Sequence, residues 1–545
     1  MSPGMWSTAH LRACLLPGGK YNDLAKCNVY LDFVTAGRGP QACRRAGMTG
    51  SDEWSTGHIR WCVGHYTTGR ENAMKDLPQA WRPPMGWNSW DSYGTTITED
   101  EVLANARFMA DHLRFVGWDI IVIDAAWFDP NARAHGYSEG TPFILDEYGR
   151  QLPDPARFPS SANNRGFGPL AERIHELGLR FGFHVMRGIP RQAVGKNTPV
   201  PGTPWHAQDI VDMRHVCQWN HDNWGLNQDH PGAQAWYDAQ VDLFASWGID
   251  FLKVDDMQAP FFPKEIDAYG RAIEKAERRY GRSIDLSLSP GTFVPTTHID
   301  FLRKHAQMWR ISDDLWDRWE DVFQQFSRLA RWAPLQRTGH WADADMLPLG
   351  HIGLRAERGD DRQSRLTRDE CATLLTLWAM GRSPLMVGGD LPTTQPSTIA
   401  LMTNPSLREV TAGSVDNREM LRERRYASWS DETTYRGDLI VWTARACDWA
   451  DGTACAYPGG YYVAIFWTGD EEYGLTGEVP LQSVVGLDRA DRPWKLVDLW
   501  RRSDGAASPT NEHADMRITG DGAERDIVGT VRAHGVLWAV VEPTE

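Results

Sequence analysis

No stretch of this chain approaches the roughly 18 consecutive apolar residues that a membrane-spanning helix requires, so no membrane partner is expected. Positive charge is also in deficit: 57 Lys and Arg stand against 72 Asp and Glu, a formal net charge of -15. Nucleic-acid phosphates would be repelled by that balance, and no nucleic-acid partner is expected. A neutral ligand pays no such penalty. Cysteine is sparse. The eight residues Cys14, Cys27, Cys43, Cys62, Cys217, Cys371, Cys447 and Cys455 contain no CxxC pair, so neither a metal site nor any other cofactor is expected. The opening residues MSPGMWSTAHLRACLLPGGKYND lack a continuous apolar core followed by a small-residue cleavage site. Together with reduced thiols this points to a cytoplasmic protein; Cys447 and Cys455 close a short loop and would pair only in an exported one. Internal repeats, low-complexity tracts, a Gly-rich phosphate loop, a Ser–His–Asp elbow and a His-rich metal motif are all missing.

What is present is a long, patterned text. The 545 residues, 41% hydrophobic, suffice for one large domain and a smaller one. Residues 1–73 show neither strand alternation nor a sustained helical period, yet hold half of the cysteines. They read as a non-native or disordered N-terminal extension, with the natural start at Met74. Patterned text then begins with MKDLPQAWRPPMGWNSWDSYG.

From 80 to 408, short apolar runs alternate with amphipathic segments. The runs include WDIIVID (118–124), LRFGFHVM (179–186), DFLKVD (250–255), SIDLSLS (283–289) and AQMWRIS (306–312). Between them lie segments such as EDEVLANARFMADHLRFVG, where Val102, Ala106 and Met109 recur at helical spacing. Apolar strands alternating with helices imply parallel βαβ units covered on both faces, and about eight of them imply an α/β fold, a (β/α)8 barrel. From 409 to 545 the helices stop. LIVWTARA, GYYVAIFWTG, KLVDLW and VLWAVVEP are strands separated by Gly, Asp and Pro turns, which predicts a C-terminal antiparallel β-sandwich.

In such a barrel, function sits where the strands end. WDIIVID ends in Asp124, and LKVDDM carries Lys253, Asp255 and Asp256. AQMWRISDD carries Arg310, Asp313 and Asp314, and GHWADADM supplies His340, Asp343 and Asp345. A single acid at a strand end is most simply a helix cap. Four strand ends that deliver acids beside a lysine and an arginine describe a site instead. Strand side chains alternate with period two, so Lys253 and Asp255 share a face with Lys253 one layer below. An adjacent cation favours the ionised carboxylate that a nucleophile needs. A second carboxyl on another strand, kept protonated, would complete a retaining glycosidase. Trp87, Trp90, Trp127, Trp309 and Trp341 lie in or beside these strand ends, and indole faces stack on sugar rings. The expected partner is therefore a carbohydrate substrate.

MGWNSWDSYG, LKVDD, MWRISDD, ADADML and LWAMGRSPLMVGGDL resemble glycoside hydrolase family 27 over about residues 80 to 545. The resemblance implies a retaining α-galactosidase or α-N-acetylgalactosaminidase built as a barrel and β-sandwich. It implies Asp255 as the nucleophile, two residues after Lys253, and Asp314 as the acid/base, four residues after Arg310, with Asp313 as the one-residue alternative. Asp343 and Asp345 match the family segment that holds sugar hydroxyls. Trp87, or less readily Trp90, matches the tryptophan near the first strand. Asp124, Lys253 and Arg310 are expected to bind substrate as well.

The departures carry as much meaning. Galactose-specific members have two consecutive aspartates after the second strand, for the axial O4 and for O6; this chain has Asp124-Ala125. A glutamate that reads the 2-hydroxyl is replaced within Leu286-Ser287-Leu288-Ser289-Pro290, and HVMRGIPRQAV (184–194) is similar to a bacterial branch related to isomaltodextranases. The expected activity is hydrolysis of terminal α-galactosides. Its alternatives on the same scaffold are isomaltodextranase-type α-glucan cleavage and β-L-arabinopyranoside hydrolysis. A Schiff-base aldolase using Lys253 and a non-enzymatic sugar-binding protein are the readings from other classes.

Overall fold

The computed structural model describes residues 79–429, 432–470, 474–501, 516–522 and 524–544. The chain divides into two units, Met1–Asp76 and Leu77–Glu545, and the expectation for residues 1–73 lies outside the described residues. The second unit begins with eight parallel strands: β1 (Met85–Asn88), β2 (Ile120–Ile123), β3 (Arg180–Met186), β4 (Phe251–Asp255), β5 (Asp285–Leu288), β6 (Met308–Arg310), β7 (Trp341–Asp343) and β8 (Leu385–Val387). They form one curled sheet in the order β7-β6-β5-β4-β3-β2-β1-β8. Leu347, just past β7, closes the ring. It bridges Val387 in parallel, its N–H donating to Met386 O at 2.7 Å and its carbonyl accepting from Gly388 N at 3.0 Å. Every run anticipated as a barrel strand contains one.

Period-two alternation decides what each strand residue does. Outward positions, among them Trp87, Ile121, Phe183, Val254, Leu288 and Trp309, join the main core beneath the surrounding helices. Inward positions fill the barrel in layers, as such barrels require. The lower layer is apolar: Ile120, Phe251, Met308 and Met386 pack together. Gly86 and Gly182 complete it, because a Cβ at Gly182 would lie 2.2 Å from the Phe251 carbonyl oxygen and one at Gly86 2.6 Å from that of Ile120. The upper layer is polar, with Asn88, His184, Lys253, Ser287, Arg310 and Asp343 all buried or nearly so.

The helices that cover the barrel include α1 (Glu99–His112), α2 (Gly168–Glu176), α3 (Pro231–Ser246), α4 (Pro263–Tyr280), α5 (Ile299–His305), α6 (Trp319–Trp332), α7 (Arg368–Gly381) and α8 (Pro405–Ala412). Their starts are written in the sequence. Thr98 with Glu101 and Thr367 with Glu370 form capping boxes at α1 and α7, and proline opens α3, α4 and α8.

The C-terminal strands are β9 (Ser414–Trp429), β10 (Glu432–Ala446), β11 (Tyr461–Trp467), β12 (Leu475–Pro480), β13 (Trp494–Asp498), β14 (Arg517–Asp521), β15 (Glu524–Val531) and β16 (Val536–Pro543). They make a five-stranded sheet, β9-β10-β11-β16-β13, and a three-stranded sheet, β12-β15-β14, all antiparallel. Leu439, Val441, Val463, Ile465 and Leu537 face the second sheet through Val479 and Ile527. Their neighbours Ile440, Trp442, Ala464, Phe466 and Trp538 belong to the barrel-side core instead. One sheet therefore seals two cores by alternation alone. Cys447 and Cys455 are free thiols, as are Cys217 and Cys371.

Candidate active site

The polar layer of the barrel opens into a cavity of about 490 Å³ at the C-terminal ends of the strands. Asp124, Lys253, Asp255, Arg310, Asp313 and Asp314 line it together, as the sequence anticipated, and Trp90, Tyr137, Trp219 and Ser289 join them.

An ion pair forms the floor. Lys253 Nζ lies 2.7 Å from Asp124 Oδ2, which also accepts from Asn88 Nδ2 at 2.8 Å. Asp124 Oδ1 accepts from Ala125 N at 2.9 Å. Burial alone would raise the Asp124 carboxyl, but Lys253, His184 and Asn88 hold it below its ordinary value. Burial would likewise lower Lys253, and the Asp124 and Asp255 charges raise it instead. Each shift favours the charged form of its group, which is the condition for keeping charge inside a barrel.

Asp255 stands one layer above. Its Oδ1 accepts from Asp256 N at 2.8 Å and from Ser289 Oγ at 2.9 Å. Its Oδ2 is 3.3 Å from His184 Nε2. Burial would raise this carboxyl. The His184 hydrogen bond and charge, the Lys253 charge and the Asp256 N–H outweigh it and hold Asp255 well below the usual carboxylate range. Neighbouring Asp256 has the opposite fate. At φ +61 it turns away from the mouth and is clamped by Arg187 at 2.6 Å. Burial, only partly offset by Arg187, pushes it up to about 6.

Arg310 bridges two acids, with Asp345 Oδ1 at 2.7 Å and Asp314 Oδ1 at 3.2 Å. The Asp314 side chain is 41% exposed and faces the cavity. Asp313 lines the cavity too, without an ion-pair partner among the described residues.

Three residues anticipated as substrate-binding do not line this cavity. Trp87 is fully buried and its Nε1 donates to Gly389 O at 2.8 Å. It follows Gly86 and precedes Asn88, both inward, so alternation turns it toward the helices; Trp90, beyond the strand, is the one that reaches the cavity. Asp343 and Asp345 lie beneath Arg310 around a separate void of about 20 Å³. Asp343 Oδ1 accepts from Asp345 N at 2.9 Å, and Asp345 Oδ2 accepts from Leu315 N at 2.6 Å. Burial pushes Asp345 up against the pull of Arg310. Asp345 holds the arginine directly, and Asp343 holds the Asp345 backbone. His340 precedes β7, at the opposite end of the barrel, with Nδ1 2.9 Å from Ala306 O. Trp127, Trp309 and Trp341 are fully buried and offer no stacking face.

His184, Ser289 and Trp219 went unremarked as site residues in the sequence. His184 was legible: it stands at an inward position of β3, paired in register with Lys253. Ser289 was visible only as the place of a missing glutamate. Trp219, 44% exposed, sits in irregular chain between Asp212 and Asn223, where no periodicity announces direction.

The family model described as Alpha galactosidase A matches residues 223–412. Among solved structures, the chain is similar to a GH27 β-L-arabinopyranosidase from Geobacillus stearothermophilus: 38% identity, TM-score 0.73, covering 86% of this chain and 98% of that one. It is also similar to a putative α-N-acetylgalactosaminidase from Bacillus halodurans, at 35% identity and TM-score 0.66, covering 85% and 98% of the two chains. Alpha-galactosidase 2 of Arabidopsis thaliana is 26% identical over 363 residues, 66% of this chain and 71% of the relative.

The floor pair makes a stability prediction. Lys253→Met strands Asp124 as a buried carboxylate, and is expected to lower the unfolding free energy by about 3–5 kcal/mol. Adding Asp124→Asn should recover part of that loss in denaturant melts. A Lys253→Met variant as stable as the parent would show that the pair carries no such constraint.

Proposed function

The chain belongs to glycoside hydrolase family 27, and from that premise we propose that it is a retaining exo-glycosidase that prefers β-L-arabinopyranosides to α-D-galactosides. The observation that carries this reading is the surroundings of Ala125. Its side chain is buried in an apolar cluster with Trp90, Trp316, Met346 and Ala356, against which Tyr137 packs. Arabinopyranose has the ring of galactose without the C6 arm. Asp124 remains to receive O4, while an O6 hydroxyl would meet methyl and ring carbons where a second aspartate would otherwise bind it. A buried hydroxyl left unpaired costs about 1–3 kcal/mol. The 38% identical arabinopyranosidase covers the same architecture almost end to end, which supports the same preference. The second reading, terminal α-galactoside hydrolysis, is favoured by the family model and by the curated α-galactosidases at 26–27% identity.

The chemistry is a double displacement. Asp255 Oδ2, held by one contact where Oδ1 is held by two, bonds to the anomeric carbon as the glycosidic C–O bond breaks. The departing oxygen takes the proton of Asp314. Water then attacks the same carbon, returns a proton to Asp314, and releases Asp255 as a carboxylate with net retention. Arg310 spans Asp314 and Asp345 and fixes the acid beside the nucleophile's mouth. Lys253 is occupied by Asp124 at 2.7 Å and its pKa is raised by the Asp124 and Asp255 charges against the pull of burial, which speaks against a neutral amine for Schiff-base chemistry.

Two measurements test this. On nitrophenyl glycosides, kcat/KM for the β-L-arabinopyranoside should exceed that for the α-D-galactopyranoside, and Ala125→Asp should move the ratio toward galactoside by about tenfold or more. A wild-type galactoside preference that Ala125→Asp leaves in place overturns the arabinoside reading and leaves the second.

The pH profile tests the nucleophile. Asp255 must be ionised to attack, and its pKa lies well below the usual range. As pH falls through about 4, the ordinary aspartate value, kcat/KM should therefore show no acid limb. His184→Phe removes the strongest opposing contact and should raise the limb into that range. An ordinary aspartate limb in the parent, unmoved by His184→Phe, contradicts the assignment.

A further inference from the structure

The loop that joins β10 to β11, residues 447–455, carries a thiol on each of its two limbs. The limbs stand side by side. Trp449 N donates to Thr453 O at 2.9 Å, and Cys455 N donates to Asp448 Oδ1 at 2.9 Å. Counting outward from the first of these bonds sets Cys447 opposite Cys455. Opposite positions on adjacent antiparallel limbs lie about 4.5–5.5 Å apart at Cα, inside the range that a disulfide spans. Both thiols are free and partly exposed, whereas the free thiols of Cys217 and Cys371 are buried. The loop is also a plug. Trp449 lies under Arg408 at 4.9 Å and 6.5 Å from the Trp81 ring. Gly413, just past α8, makes room for it, since a Cβ there would stand 2.4 Å from Trp449 Nε1.

A cation sits beside the pair. Arg382, which caps the C-terminus of α7, is buried. It donates to Thr411 O at 3.0 Å and lies 4.6 Å over the Trp341 ring. Burial lowers its pKa to about 10, and the charge that opposes this is Cys447 rather than a carboxylate. Burial raises the Cys447 thiol in turn. Arg382 is the first group to pull it back, and an ionised Cys455 is close enough to raise it further. A reachable thiol that faces a guanidinium is placed to react as the thiolate.

We infer that Cys447 and Cys455 form a reversible disulfide, a redox staple that locks the Trp449 loop between α8 and the C-terminal sheet. The oxidant is a small disulfide of the glutathione class. Cys447, as the thiolate, bonds to one of its sulfurs, breaks its S–S bond and expels one thiolate. Cys455, as the thiolate, then bonds to the Cys447 sulfur and expels the second. The two protein thiols give up two electrons and two protons, and the oxidant leaves as two thiols. Arg382 sets the order, because it faces Cys447. Closing the loop removes freedom from the unfolded chain, while the folded loop is already held by Trp449, so the oxidised protein is the more stable. None of these residues lines the barrel cavity, and the bond forms whichever glycoside is cleaved.

The test equilibrates the reduced full-length chain with excess oxidised glutathione, blocks the remaining thiols with N-ethylmaleimide and cleaves on the N-terminal side of aspartates. Cleavage before Asp448 and Asp451 separates the two cysteines, so only a disulfide keeps their fragments joined. Mass spectrometry is expected to find that joined pair, released by dithiothreitol. Cys455→Ser should instead hold a glutathione adduct on Cys447, and Cys447→Ser should take up glutathione more slowly. The thermal midpoint of the oxidised parent should exceed that of the reduced parent by a few degrees, a gain that Cys455→Ser lacks. Maleimide or glutathione on both cysteines of the parent overturns the pairing, and needs no variant to fold. A joined pair with an unchanged midpoint overturns the staple. Equal glutathione uptake by the two single variants overturns Cys447 as the attacking thiol.

Discussion

A lysine inside a barrel needs an anion within reach, and the pair that results constrains everything above it. Lys253 and Asp124 meet at 2.7 Å across the barrel, between strands that are not neighbours in the sheet. Below them the interior is closed by Ile120, Phe251, Met308 and Met386, so the pair cannot sink. Above them it opens to the cavity. Asp255 inherits the cation's field from one layer up, together with His184 from the adjacent strand. The result is a carboxylate kept ionised although it is buried, which is the state a glycosyl-enzyme mechanism needs at the start of each turnover. Its sequence neighbour Asp256, at a left-handed φ of +61, turns away and pairs with Arg187 at 2.6 Å.

Most of the barrel, and the centre of the candidate site, could be read from alternation. Parallel strands buried on both faces leave short apolar runs, and β2 through β6 lie inside the runs picked out by that criterion. The same rule selects Lys253 and Asp255 together and rejects Val254. It also explains which expected residues lie away from the cavity. Trp87 was assigned by motif, yet its own strand places it with the outward residues, and Trp309 differs from Arg310 in the same way. Asp343 points inward but lines the small void beneath Arg310 rather than the cavity. What alternation cannot reach is irregular chain. Trp219 lies between strands, and the unpaired amide oxygen of Gln325 is visible only once α6 is packed against the barrel. Partner counts for buried polar atoms exist in three dimensions alone.

Specificity and chemistry separate cleanly in this architecture. The acids, the lysine and the arginine arise from four strand ends and hold one another through ion pairs of 2.7 to 3.2 Å. Changing any one of them disturbs the rest. Ala125 stands at the margin of that network, where a side chain can change without stranding a buried charge. On the proposed reading the glycone is chosen at Ala125, outside that network of charges. The C-terminal sheet serves the same rigidity from outside, with Ile440, Trp442, Phe466 and Trp538 continuing the core of the barrel helices.

The account stands on Asp255 as the group that bonds to sugar, and trapping that bond tests it most directly. The full-length protein would be inactivated with a 2-deoxy-2-fluoro glycosyl fluoride of the preferred glycone, digested, and its peptides sequenced by mass spectrometry. The account predicts one adduct, on the peptide that spans LKVDDM, with fragmentation placing it on Asp255. An adduct on Asp256, Asp313 or Asp314, or a product released with inverted configuration and no adduct at all, would contradict it.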